Sequence, residues 1–265
     1  MKVCLIAIGR LENRYAVEFV DYYKQLGFDH IFIADNNHDG EEYFEDVLQS
    51  YINEKFITIY DYRNFNAIQN KAYEEIYYKI SNDYDWVAFF DFDEFLTLTE
   101  DHNIKEYLEN FYDTDIIKIN WNVYDDNDLI YDDGRPCLER FTHPYKYDSI
   151  NKINNHIKVI IRSNINLIFN NPHCPDVNLD EVTICNSDHI YLDNYSPFCE
   201  YIGNKAYIKH FAYKTIDEFC KLKIKRGVGS MSDIEYQKLD LFYIFFLINS
   251  VNAEKIKVFK KYGFI

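Results

Sequence analysis

Trp86-Val-Ala-Phe-Phe-Asp91-Phe-Asp93-Glu94-Phe95 is the stretch on which the reading of the fold turns. Its first five residues are a continuous apolar run without alternation. Such a run suits a parallel strand buried on both faces. Three carboxylates then arrive together, at Asp91, Asp93 and Glu94. In an extended chain, residues two apart point to the same side. Asp91 and Asp93 are therefore expected to face one cleft, with Phe92 turned into the core. The carboxyl end of a central strand is where open α/β sheets bind ligands. Two ionised carboxylates there call for a cation between them, or for a proton on one. Oxygen ligands suit a hard divalent ion, Mg²⁺ or Mn²⁺. The plainer alternative is a solvated acidic loop after a strand.

Upstream of this stretch the chain alternates strand and helix. Strands are expected at residues 2–8, 30–34 and 56–60, and helices at 12–26, 41–52 and 65–80. Gly27 reads as a helix stop, and Asp35–Gly40 as a turn that caps the next helix. Short connectors between such units imply right-handed crossovers and a parallel sheet. Downstream the rhythm changes. A helix at 103–111 and a strand at 115–121 precede a polar loop at 122–134 that carries five aspartates. Short strands are expected near 137–141, 156–162 and 167–169, a strand pair over 182–192, and a strand at 206–211. Thr215 with Glu218 three residues on reads as a capping box for a helix to about Arg226, stopping at Gly227. Residues 233–262 read as two aromatic-rich helices packed on the body.

The chain has 265 residues and 48% apolar content, enough for one α/β unit with a real core. Gly and Pro are scarce, at 8 and 5, so few joints are available and a single compact unit is expected. A net charge of −16 argues against nucleic-acid binding through a basic footprint. It also means that an anionic ligand needs local help from a metal, helix N-termini or a few placed cations. The six cysteines form no CxxC pair, which argues against structural zinc; without a signal peptide they read as reduced thiols, hence a cytoplasmic setting. No run reaches the length of a membrane span; peripheral association stays open.

Ile8-Gly-Arg-Leu-Glu12, Ala34-Asp-Asn, Asp85-Trp-Val-Ala-Phe-Phe-Asp-Phe-Asp-Glu-Phe95, Trp121, Glu139-Arg-Phe141, Lys158-Val-Ile-Ile-Arg162, Pro172-His173 and His210-Phe-Ala-Tyr-Lys-Thr215 resemble the family 2-like and family 92-like glycosyltransferases. The resemblance runs over about residues 3–227. It implies a GT-A, Rossmann-like fold: a mostly parallel sheet flanked by helices, here with a C-terminal helical elaboration over 228–265. It also implies metal-dependent transfer of a sugar from a nucleoside diphosphate sugar, a uridine diphosphate sugar above all, usually with inversion. On the resemblance, Asp91 and Asp93 correspond to the metal-bridging acids and His210 to a third ligand. Arg10 and Glu12 stand at a nucleotide-contacting turn, where Leu11 replaces the family's Asn. Asp35 stands where an acid meets the base or ribose, and Gln69 on a helix near the nucleotide. Lys214 and Arg226 fall where cations screen phosphate, and Trp121 opens the loop where donor sugar and acceptor meet.

Inversion needs a base for the acceptor hydroxyl. Asp125, Glu139 and Asp176 are the candidates, Glu139 first because Glu-Arg-Phe matches the family; it also reads as a salt partner of Arg140. Each of the three is equally a solvated or capping carboxylate. His173, between two prolines, is a further site candidate. Lys158 and Lys223 could screen phosphate too, with a solvated face as the plainer alternative. The expected acceptor is a glycan or a lipid-linked acceptor. Richness in Asn, Ile, Lys and Tyr fits an AT-rich microbial genome, and with it surface-polysaccharide synthesis. Two rivals stand. A phosphatase of the haloacid dehalogenase type uses Asp-x-Asp but opens its domain with that strand, whereas three strand–helix units come first here. A non-catalytic nucleotide-sugar or glycan-binding module would keep the fold without turnover.

Overall fold

The computed structural model describes residues 1–145, 152–193, 196–226 and 234–264. The first strand, β1 (Val3–Gly9), is buried along its whole length. Alternate residues serve opposite faces: Val3, Leu5 and Ala7 join one apolar cluster, Cys4, Ile6 and Ile8 the other. Helix α1 (Asn13–Gln25) buries Tyr15, Ala16, Phe19, Val20 and Tyr23 at helical spacing. The same unit repeats in β2 (His30–Asp35), α2 (Glu45–Asn53), β3 (Ile57–Asp61) and α3 (Gln69–Ile80), and leads into β4 (Trp86–Phe89). The four strands run parallel in the order β3-β2-β1-β4, as the alternation requires.

Beyond β4 come β5 (Glu94–Leu98), α4 (Ile104–Glu109), β6 (Ile116–Val123) and α5 (Cys137–Arg140). They are followed by β7 (Ile157–Arg162), β8 (Leu167–Ile168), β9 (Asp176–Val177), β10 (Ile184–Asn186) and β11 (Ala206–His210). The sheet continues β4-β7-β6-β11-β5, and β10 also pairs with β6. The β4–β7, β6–β7 and β5–β11 pairings are antiparallel. β4 is therefore parallel to its neighbour on one side only, unlike the fully parallel setting expected. β8 and β9 form a separate ribbon.

The chain ends in α6 (Ile216–Glu218), a π turn at Phe219–Lys223, α7 (Ile224–Arg226), α8 (Ile234–Ile248) and α9 (Ala253–Lys261). Thr215 does close the expected capping box: its hydroxyl accepts the Glu218 N–H while the Glu218 carboxylate accepts the Thr215 N–H. The stop at Gly227 and the helix start at Asp233 lie outside the described residues. Leu241, Phe245, Val258 and Phe259 of α8 and α9 share a cluster with Val123, Ile216 and Phe219 of the body.

Two expectations fail locally. The strand expected over 137–141 is α5, because the Glu18 carboxylate accepts the N–H groups of Cys137 and Leu138 at 2.8 and 2.9 Å and so caps a helical turn. The strand pair expected over 182–192 reduces to β10 and one bridge between Cys185 and Tyr191. Among the described residues, no disulfide joins any of the six cysteines. Among the described residues, no helix is long and apolar enough to cross a membrane.

Candidate active site

The acids at the end of β4 lie in a tight turn, not in the extended chain that was expected. β4 stops at Phe89, and the Glu94 N–H donates to the Asp91 carbonyl at 3.0 Å. The Glu94 carboxylate closes the turn from the other side by accepting the Asp91 N–H at 2.9 Å. Phe92 goes into the core, as expected, where it stacks on Phe44 with ring centroids 5.0 Å apart. A Cβ on Gly9 would meet Phe44 at 2.6 Å and Phe92 at 2.8 Å, so only glycine lets β1 pass behind this turn.

Asp91 accepts three hydrogen bonds. Gln69 and Tyr73, one helical turn apart on α3, reach Oδ1 at 2.8 and 2.7 Å. The Lys158 ammonium, from β7, reaches Oδ2 at 2.8 Å and lies 3.5 Å from Glu94. Asp93 faces a second set: His210 Nε2 at 3.6 Å, Lys223 Nζ at 3.7 Å and Arg226 Nη2 at 3.8 Å. Arg226 also binds Glu12 and the Arg10 carbonyl. Lys214 lies over the Tyr15 ring at 4.3 Å and within the field of Glu12 and Asp93. Lys158, Lys214, Lys223 and Arg226 are thus turned inward against carboxylates; the solvated alternative for Lys158 and Lys223 does not hold.

Burial alone would raise both aspartates, but Lys158 holds Asp91 below its usual range, and Lys223 with His210 holds Asp93 well below it. Glu94 goes the other way: complete burial beside two like charges outweighs Lys158 and raises its carboxyl well above the usual value. Burial lowers His210. Two residues near this site adopt left-handed backbone, Leu11 at φ 57° and Lys214 at φ 52°. Asn tolerates that conformation far better than Leu. Leu11 sits where the resembling family has Asn, and its N–H is held by Asn37 Oδ1 at 2.8 Å.

The other sequence candidates scatter. Arg10 is bidentate to Glu41. Asp35 is buried against Arg63 at 2.8 Å and against Asn37. Trp121 lies under His210, 4.0 Å between centroids, with His156 and His173 each at 4.9 Å. His173 Nδ1 pairs with the Ile157 carbonyl. Asp125 follows Tyr124, whose N–H donates to the His210 carbonyl at 3.1 Å. Glu139 is exposed on α5, and Arg140 pairs with Glu218 instead. Asp176 is exposed on β9 and accepts from Asn170. Tyr73 was not singled out from the sequence; its spacing from Gln69 was the available signal.

A hard divalent ion suits these residues in kind, as two carboxylates and an imidazole. Asp93 and His210 meet each other beyond normal hydrogen-bond length, and His210 Nδ1 is buried without a partner among the described residues. Asp91 is engaged by its three donors, and no group of three His, Cys, Asp or Glu among the described residues is arranged to hold a metal ion.

The sequence model of glycosyltransferase family 92 matches residues 1–218. A family 92 glycosyltransferase protein of Ricinus communis is 28% identical over 109 residues, 41% of this chain. That match spans 19% of the length of the curated relative. Residues 1–349 of S. aureus TarS overlap 99% of this chain and 73% of that one, at 11% identity and a TM-score of 0.45. The complex of TarS with UDP-GlcNAc overlaps 99% and 80%, at 12% identity and a TM-score of 0.43.

Proposed function

The chain belongs to glycosyltransferase family 92, and from that premise we propose that it moves a sugar from a nucleoside diphosphate sugar to an acceptor hydroxyl. A uridine diphosphate sugar is the donor to try first, and the acceptor is a glycan or a lipid-linked one. The observation that carries this reading is the set of four cations, Lys158, Lys214, Lys223 and Arg226, turned inward at the carboxyl end of β4. In a chain of net charge −16, they are the local help that a diphosphate needs.

In this reading the four cations hold the diphosphate and stabilise the charge that grows on it as the sugar leaves. Asp91, Asp93 and His210 would hold Mn²⁺ or Mg²⁺, which supplies Lewis-acid stabilisation of the leaving diphosphate when bound. Trp121 offers a ring face to the sugar. Asp125, next in the chain to a residue bonded to His210, takes the proton from the acceptor hydroxyl, and transfer inverts.

The test is release of free sugar from nucleoside diphosphate sugars with Mn²⁺ and no acceptor. The expected result is turnover with one donor class, lowered about 100-fold or more in Asp91→Ala and Asp93→Ala. Full turnover in both variants, unaffected by a chelator, would overturn the reading. Nucleotide binding without any turnover would leave a binding module.

A further inference from the structure

Residues 241–265 differ in charge from the rest of the chain. They carry four lysines and one glutamate, hence +3, in a chain of net charge −16. Residues 241–248, the second half of α8, carry no charge at all. One face of this half is turned inward, with Leu241, Phe245 and Ile248 buried at helical spacing. The opposite face leaves Tyr243 68% and Phe246 43% exposed. The Phe246 ring lies on Phe259 of α9, centroids 5.2 Å apart, and Ile256, one helical turn before Phe259, is exposed as well. Lys257 follows Ile256 in the chain, and Lys260 stands one turn beyond it; both are exposed, as is Lys261. Glu254 pairs with Lys257 at 2.6 Å, an exposed pair that contributes little. The inner side of the same two helices is anchored. Lys255 is fully buried 2.6 Å from Asp126, and the Ser250 hydroxyl donates to Asp128 at 2.7 Å.

We propose that the outer face of α8 and α9 docks the chain on an anionic lipid bilayer. Tyr243, Phe246 and Ile256 enter the boundary between headgroups and acyl chains, and Lys257, Lys260 and Lys261 meet the lipid phosphates. Charge decides against a second copy of this chain as the occupant. A two-fold interface lays a patch against itself, so the lysines of the two copies would face one another. The docking surface is independent of the sugar chemistry. Joined to the proposed function, and resting on it in this one respect, it selects the lipid-linked acceptor over the free glycan, because the docked helices also grip the loop that follows Trp121.

The experiment is flotation of the full chain with vesicles of phosphatidylcholine alone, and of phosphatidylcholine with about one third phosphatidylglycerol. Wild type is expected to float with the anionic vesicles, to stay behind with the neutral ones, and to be released as salt screens the lysines. Two double variants, each checked for cooperative unfolding, separate the contributions. Tyr243→Ser with Phe246→Ser removes apolar surface, and Lys257→Gln with Lys260→Gln removes charge; each should weaken binding about tenfold or more. The lysine variant alters only exposed side chains, so it keeps the test decisive if the aromatic variant fails to fold. No flotation of wild type, or wild-type flotation of the folded variants, would overturn the proposal. Equal binding to both kinds of vesicle would overturn the anionic assignment. A wild-type dimer that Phe246→Ser returns to monomer, without flotation, would make this face a contact between copies instead. Each of these outcomes leaves sugar transfer standing, since that is read separately from donor turnover in solution.

Discussion

Arg140 and Glu218 are joined by two parallel hydrogen bonds, Nη1 to Oε2 at 2.8 Å and Nη2 to Oε1 at 2.9 Å, across 78 residues of sequence. The Arg140 side chain is fully buried. Tyr15 donates a third bond to the same carboxylate at 2.5 Å, and the N–H and hydroxyl of Thr215 donate a fourth and a fifth. The pair thus ties α1, α5 and the start of α6 to one point and fixes where Lys214, Lys223 and Arg226 begin.

Removing one member leaves a buried charge unpaired. Arg140→Met is expected to destabilise the fold by about 3–5 kcal/mol, since breaking a buried pair costs far more than the pair contributes. Urea unfolding measures it. Adding Glu218→Leu to that variant should recover part of the loss, because both charges are then gone. A double variant no more stable than Arg140→Met would count against the argument.

Gly9→Ala tests how the turn is supported. The new methyl group would press on Phe44 and Phe92, both within 3 Å of it. An overpacked position of this kind costs about 1–3 kcal/mol. Because Phe92 lies between Asp91 and Asp93, the strain should also reach the acids. The expected outcome is a lower melting temperature together with weaker nucleotide binding; a stability loss with unchanged binding would show that the turn is independent of its packing.

His173 provides a pH prediction. Burial, with Lys158 repelling a second positive charge, lowers its imidazole to about 3. A histidine lowered on folding binds fewer protons than in the unfolded chain, so stability rises with pH across the interval. Its contribution is whole above about 6.5 and is lost as pH falls toward 3. Nitrogen-15 chemical shifts should show His173 neutral at pH 5, and His173→Gln should flatten the pH dependence of unfolding between those limits. A His173 titration near 6.5 in the folded protein would contradict this.

Much of this architecture was legible in the residues. The strand–helix alternation up to Phe95 follows from apolar periodicity alone, and so does the parallel half of the sheet. Thr215 and Glu218, three apart, announced their own capping box. What escaped depends on distant partners. Lys158 is a cation in the middle of an apolar strand, and only the fold puts Asp91, 67 residues away, against it. The helical turn at Cys137 depends on Glu18, 119 residues earlier in the chain. The bend at Asp91 comes from a Glu94 carboxylate folding back on the backbone, which an alternation rule for extended chain cannot foresee. The family resemblance puts Asp35 and Arg10 at nucleotide contacts; Arg63 and Glu41, their partners here, carry no comparable signal.

On the proposed function, the acid turn and its inward cations receive a nucleoside diphosphate together with a divalent ion. The most direct measurement is the melting temperature of wild type and Asp93→Ala with each common nucleoside diphosphate, with and without Mn²⁺. Specific binding raises the melting temperature by mass action. One nucleotide should stabilise wild type only when Mn²⁺ is present, and Asp93→Ala should lose that shift while still unfolding cooperatively. An equal shift in Asp93→Ala, or no shift in wild type with any nucleotide and Mn²⁺, would contradict the account.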